Sequence, residues 1–156
     1  MTAPVAITKM HGACNDFVVV DCRSNAIASL PDFARWVCNR HAGVGADGVI
    51  AIEASNGSRV AMRTINADGS EAEMCGNGAR CAARWLDESG AGDGIEFDTA
   101  AGPVRAEIVA RVPEYLVRVS VGTPRVADLS WEGERAYAVD LGNPHAVFFR
   151  ERVDGV

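Results

Sequence analysis

The chain has 156 residues, 48% of them hydrophobic, enough for one substantial core or for one core and part of another. Its formal charge is −6 and its basic residues are scattered, which argues against nucleic acid or an anionic membrane as a partner. No apolar run approaches the roughly 20 residues that span a bilayer. Thr2 to Lys9 also lacks the basic start and apolar core of a secretory leader, so a soluble cytoplasmic protein is expected.

The first elements follow from residue pattern. Val5 to Met10 and Phe17 to Cys22 read as paired strands, and the link His11-Gly12-Ala13-Cys14-Asn15-Asp16 has turn chemistry. Leu30-Pro31-Asp32 opens a helix with Ser29 as its cap; Phe33, Ala34, Val37 and Cys38 recur at helical spacing, Trp36 shields an edge, and Gly43 ends the helix. Gly43-Val44-Gly45-Ala46-Asp47-Gly48 then turns into a strand, Val49 to Glu53. A lone Gly-x-Gly with no third glycine and no following helix excludes a dinucleotide fold. Asn56-Gly57 marks a hairpin turn before a strand from Arg59 to Ile65.

The next stretch carries the chemistry. Asp68-Gly69 closes the strand, and Met74-Cys75-Gly76-Asn77-Gly78 leads into a helix from Asn77 to about Glu88, with Cys81, Ala82, Trp85 and Leu86 as its core stripe. Cys75 thus stands at a helix N-terminus, where the first amides lack intrahelical partners and the macrodipole is positive. Such donors favour a thiolate. Gly76 and Gly78 let a ligand carboxylate approach the same amides. The competing reading is a buried structural cysteine followed by a glycine turn.

The five cysteines, at 14, 22, 38, 75 and 81, have the spacing of neither a disulfide framework nor a zinc site, and no metal is expected. On one helix Cys75 and Cys81 would be about 9 Å apart along the axis and about 240° around it, which leaves Cys81 to core packing. Free thiols suit a reducing compartment.

Gly94 to Thr99, Val104 to Ala110 and Tyr115 to Val121 form a meander of half-buried antiparallel strands. Gly122-Thr123-Pro124 marks a boundary. Beyond it come a polar loop from Ala127 to Gly133, a strand from Arg135 to Asp140, and Asn143-Pro144 as a turn into an apolar strand.

Asn66-Ala67-Asp68-Gly69-Ser70-Glu71 with Met74-Cys75-Gly76-Asn77-Gly78-Ala79-Arg80-Cys81 resembles the signature of diaminopimelate epimerase, a cofactor-independent enzyme of lysine and peptidoglycan precursor synthesis. Lys9-Met10-His11-Gly12 with Asn15-Asp16-Phe17 resembles that family's N-terminus, and Gly142-Asn143-Pro144-His145 another of its elements. The resemblance spans nearly the whole chain. It implies an α+β fold of two similar domains, each a strongly curved antiparallel sheet wrapped round a central helix, with the active site in the cleft between them. Residues 1–122 would form the first domain, lacking a returning C-terminal strand, and 123–156 a truncated beginning of the second.

Cys75 would be one of two catalytic bases, with the second cysteine in a portion this chain lacks, so that the chain alone would be inactive. Gly76 and Asn77 would bind the reacting carboxylate through their amides; Asn15, Asn66 and Asn143 would grip the distal amino-acid end, and His145 would modulate thiol ionisation. The Gly43-x-Gly45-x-Asp47 segment would lie near the site, with Gly48 forgoing a polar side-chain contact. Cys14 stands where the family has a non-thiol residue and is left unexplained. No cofactor is implied; the partners are a small amino-acid substrate, diaminopimelate, and a second copy in the full-length homodimer. The alternatives are a proline-racemase-type isomerase, a non-catalytic half-site binding module, and a thiol redox protein, the last weakened by the absence of Cys-x-x-Cys.

Overall fold

A computed structural model describes residues 4–55, 59–141 and 144–151. The expected turn at Asn56-Gly57 and the site residue Asn143 lie outside these residues. The chain divides into two units, Met1–Ser120 and Val121–Val156.

The first unit is built on one sheet, ordered β1 (Ile7–Gly12), β2 (Asn15–Asp21), β3 (Gly48–Ala54), β4 (Val60–Asn66), β6 (Gly94–Thr99), β7 (Gly102–Ala110) and β8 (Leu116–Ser120), with the short β5 (Glu71–Ala72) beside β4. Most neighbours are antiparallel, as expected. Two junctions are parallel, β2 with β3 and β4 with β6. A parallel junction needs a crossover, and each of the two helices is one. Helix α1 (Leu30–Val37) links β2 to β3, and α2 (Gly76–Glu88) lies between β5 and β6.

The helices occupy opposite faces of the sheet. Phe17, Val19, Ile50, Ile52 and Met62 pack with α2, whereas Val18, Val20, Val49, Ala51 and Ile65 pack with α1 residues. Strands β2 and β3 are therefore buried on both sides, which explains their unbroken apolar runs. Strands β6 to β8 turn Phe97, Val104, Ala106 and Ile108 toward α2 and expose Arg105 and Glu107, the alternation read from sequence.

Helix α2 touches both β1 and β8, the first and last strands of the order, so the sheet curls round it. The bend has a local cause. The same side of β4 pairs with β5 at Thr64 and Ile65 but with β6 only at Val60 and Ala61, so the sheet splits there. Ala79, Ala82 and Ala83 are fully buried and let the helix sit deep. Trp85 lies half-buried at the β1 rim, where its indole Nε1 donates to Thr8 Oγ1 at 3.1 Å and the Arg23 guanidinium stands 5.8 Å over the ring.

Helix α1 starts as expected, with Ser29 Oγ accepting from the Asp32 amide at 3.3 Å. Leu30, Ala34 and Val37 bury its inner face; full burial of a Leu or Val side chain stabilises by about 1.5–3 kcal/mol. It ends at Val37, not Gly43, because the amides of Val44 and Gly45 fold back onto the Val37 carbonyl. Trp36 shields no edge: it is 64% exposed, with its ring 6.3 Å from that of Phe33.

The second unit is a meander of β9 (Arg125–Trp131), β10 (Glu134–Asp140) and β11 (Pro144–Val147), ordered β11-β10-β9. The expected polar loop from Ala127 is instead strand. Its loop character is confined to Glu132-Gly133, both at positive φ, which closes a two-residue hairpin.

Candidate active site

Cys75 is the N-cap of α2, with φ −137° and ψ 110°, and its Sγ accepts from the Gly78 amide at 3.3 Å. The first turn of α2 contains no acidic residue. The amides of Gly76 and Asn77 have no intrahelical partner by helix geometry, and no side chain among the described residues accepts from them. A Cβ on Gly76 would meet nothing within 4 Å, so the space beside that amide is open. A Cβ on Gly78 would lie 2.6 Å from Ile50 Cδ1, so Gly78 is what lets the first turn settle on β3. Cys75 itself is partly buried, packed at the margin of the α2 core.

The β1–β2 hairpin reaches the same helix start. Ala13 and Cys14 form a two-residue turn with φ of 51° and 65°, the left-handed pair that such hairpins need. Gly12 permits the approach, since a Cβ there would stand 2.9 Å from the Asn77 carbonyl oxygen. Asn15, the first residue of β2, then meets Asn77, whose Nδ2 lies 3.4 Å from Asn15 Oδ1. Cys14 is exposed at the tip.

A charged cluster braces this contact. Asp47 Oδ2 accepts from Asn15 Nδ2 at 2.7 Å and from the Asp16 amide at 3.0 Å, and its Oδ1 accepts from Arg40 at 2.8 Å. Arg40 also forks onto both Asp16 oxygens, and Lys9 pairs with Asp16 at 2.7 Å. The Arg40 guanidinium, followed by the Lys9 ammonium, holds the Asp16 carboxyl well below the usual carboxylate range. On the far side Arg80 Nη1 donates to Asn77 Oδ1 at 2.5 Å.

Asn66 ends β4 opposite Gly48, and its Nδ2 donates to Ser70 Oγ at 2.9 Å within the Asp68-Gly69 turn. A Cβ on Gly48 would come 2.7 Å from the Ile65 carbonyl, so the pairing of β3 with β4 leaves no room for a side chain there. Backbone bonds from Asp47 N to Asp16 O and from Ala67 N to Asp47 O tie the starts of β2 and β3 to the end of β4. Asn15, Asn66, Cys75, Gly76 and Asn77 thus belong to one corner of the first unit.

His145 belongs to β11 of the second unit, paired with Val139 and exposed. Cys81 is buried on α2, and burial pushes its thiol up to about 11, in keeping with core packing. A hollow of about 670 Å³ in the first unit runs between the rims at Thr8–Gly12 and Leu116–Val117, with Arg80 and Arg84 in its lining. Asp47 and Arg80 were assigned no role from sequence. Asp47 acts on Asn15 across 32 residues, a separation that spacing cannot reveal; Arg80 lies inside the signature run, one helical turn after Asn77.

A diaminopimelate epimerase family profile matches residues 7–127. Among curated relatives, the diaminopimelate epimerase of Pelotomaculum thermopropionicum is 40% identical over 96% of this chain and 61% of its own length. That of Moorella thermoacetica is 38% identical over 94% of the chain and 61% of its own length. The chain therefore spans about three fifths of the length of these relatives. Among solved structures, a probable proline racemase from Agrobacterium radiobacter K84 superposes with a TM-score of 0.71 at 15% identity, covering 92% of this chain and 51% of that one. A PhzF-family phenazine biosynthesis protein from Bacillus anthracis gives 0.69 at 17% identity, covering 91% and 54%. At such identities these two speak for the fold, an α+β arrangement with a strongly curled sheet. The profile and the curated relatives, which match across the helix start at Cys75 and the strands that brace it, place this chain in the diaminopimelate epimerase family.

Proposed function

We propose that this chain is the part of a diaminopimelate epimerase that carries one of its two bases, Cys75. Inverting an amino-acid α-carbon without an electron-sink cofactor requires removing a weakly acidic C–H proton from one face and returning a proton to the other. One group cannot serve both faces of a planar carbanion, so two bases must flank it. Cys75 serves one face, and a second cysteine, in the portion of the relatives that this chain does not span, serves the other. The Gly76 and Asn77 amides hold the reacting carboxylate as charge builds on it. Asn15, Asn66 and Asn143 take the distal amino-acid end, because neutral amides pair with both ammonium and carboxylate, and His145 modulates thiol ionisation.

The reading extends to a cytoplasmic homodimer in lysine and peptidoglycan precursor synthesis. It also fills the hollow between the β1 and β8 rims with a strand returning from the uncovered portion. The observation that carries the proposal is the helix start at Cys75, where the Gly78 amide donates to the thiol and the two amides before it, of Gly76 and Asn77, are left to a ligand. The test is solvent-deuterium incorporation at the α-carbon of diaminopimelate by the complete enzyme. Cys75→Ala should abolish proton exchange on one face; undiminished incorporation overturns the assignment.

A further inference from the structure

The oxygen and nitrogen ends of an asparagine amide are nearly the same size, so what Asn15 and Asn77 offer a ligand depends on which way each is turned. Here both ends of the pair are set by full charges. Asp47 has acceptors only and accepts a hydrogen bond from Asn15 Nδ2 at 2.7 Å. Arg80 has donors only and gives one to Asn77 Oδ1 at 2.5 Å. Between them Asn77 Nδ2 points at Asn15 Oδ1 over 3.4 Å, long enough to give direction more than strength.

Turning Asn15 over would set its oxygen against a carboxylate and its NH₂ against the NH₂ of Asn77. Turning Asn77 over would set its NH₂ against a guanidinium. Asp47 is itself fixed by the Asp16 amide and by Arg40, and Arg40 is shared with Asp16.

We propose that Asp47 and Arg80 are positioning residues that lock the orientation of the Asn15–Asn77 amide pair, so that the site presents one defined set of donors and acceptors to a zwitterionic amino-acid group. This deepens the reading of Asn15 as a contact of the distal amino-acid end, adds the Asn77 side chain to it, and rests on it. After these bonds each amide keeps one N–H and one oxygen lone pair. A ligand bringing both an ammonium and a carboxylate uses both kinds of group; one lacking either leaves a polar atom unmet.

The test is a kinetic cycle in the complete enzyme with diaminopimelate. Asp47→Asn should raise KM about tenfold and change kcat less than about threefold, the pattern of lost uniform binding. In an Asn15→Ala background the same substitution should add less than about twofold, because Asp47 acts through Asn15. Arg111→Gln, which breaks an ion pair with Asp87 near the opposite end of α2, should lower the melting temperature and leave KM within about twofold. Multiplying effects in the double variant, or an unchanged KM in Asp47→Asn, overturns the proposal. If Asp47→Asn does not fold, Arg80→Gln with and without Asn77→Ala poses the same question from the other end.

A second readout needs no turnover. In ¹⁵N spectra of the 156-residue chain, the Asn15 side-chain proton bonded to the carboxylate should lie downfield of its geminal partner and lose that offset in Asp47→Asn. An offset that persists overturns the orientation claim whatever the enzyme's activity.

Discussion

Helices α1 and α2 begin with nearly the same backbone and different contents. Their caps are both extended, Ser29 at φ −146° and ψ 105°, Cys75 at φ −137° and ψ 110°, and each side chain accepts one amide at 3.3 Å. At α1 the remaining positive end is closed by the chain itself: Pro31 removes a donor and Asp32 brings a negative charge into the first turn. At α2 no acid is present and glycines stand at 76 and 78. A helix start that only stabilises is satisfied internally. One whose first amides stay unsatisfied, with Asp47 reaching it through Asn15 and Arg80 from the next turn of the same helix, keeps donors that an anion from solution can still use.

Making α2 begin like α1 is the sharpest way to test that contrast. Asn77→Asp puts a carboxylate in the first turn. Affinity for diaminopimelate, measured by calorimetry on the complete enzyme, should fall at least about tenfold, while thermal stability holds because the charge suits the helix dipole. Unchanged affinity would mean that no ligand anion uses that end.

The reverse case is α1. Ser29→Ala should cost about 1 kcal/mol in denaturant unfolding and leave epimerisation unchanged; an activity loss would show that α1 is not a purely structural crossover.

Acid gives the smallest effect. Asp16 braces the α2 start and its carboxyl is held below its ordinary value by Arg40 and Lys9. A depressed folded value means the contribution is present above the unfolded pKa of about 3.9 and is lost as pH falls through the folded one. Stability should therefore decline with acid below about pH 4. Asp16→Asn should flatten that decline, and an equal slope in both proteins would remove Asp16 from the bracing.

Much of this was legible in the sequence. Alternating residues gave β6 to β8, Ser29 and Pro31 gave the start of α1, and Cys75 at the head of α2 followed from the glycines around it. Long-range pairing was not legible. The runs Phe17 to Val20 and Val49 to Ile52 announce strands, but nothing local states that they lie parallel, or that each faces a different helix with alternate residues. Gly43 reads as a helix end because glycine fits one, whereas the Val37 carbonyl that closes α1 is taken by amides seven and eight residues further on, at Val44 and Gly45 in a returning turn. In the second unit, Ala127 to Trp131 reads as polar loop because β9 is exposed at every position but Leu129, which is half-buried. The corner that gathers Asn15, Asn66 and Asn77 depends on three strand ends meeting, and the roles of Asp47 and Arg80 emerge only once it is assembled.

The bond from Trp85 to Thr8 gives the first unit an optical gauge. Trp36 and Trp131, 64% and 61% exposed, emit as indoles in water do, whereas Trp85 sits half-buried between helix and rim with its N–H engaged. The bluer part of the emission therefore belongs to Trp85, and its red shift would signal β1 peeling away from the central helix before the remaining strands let go.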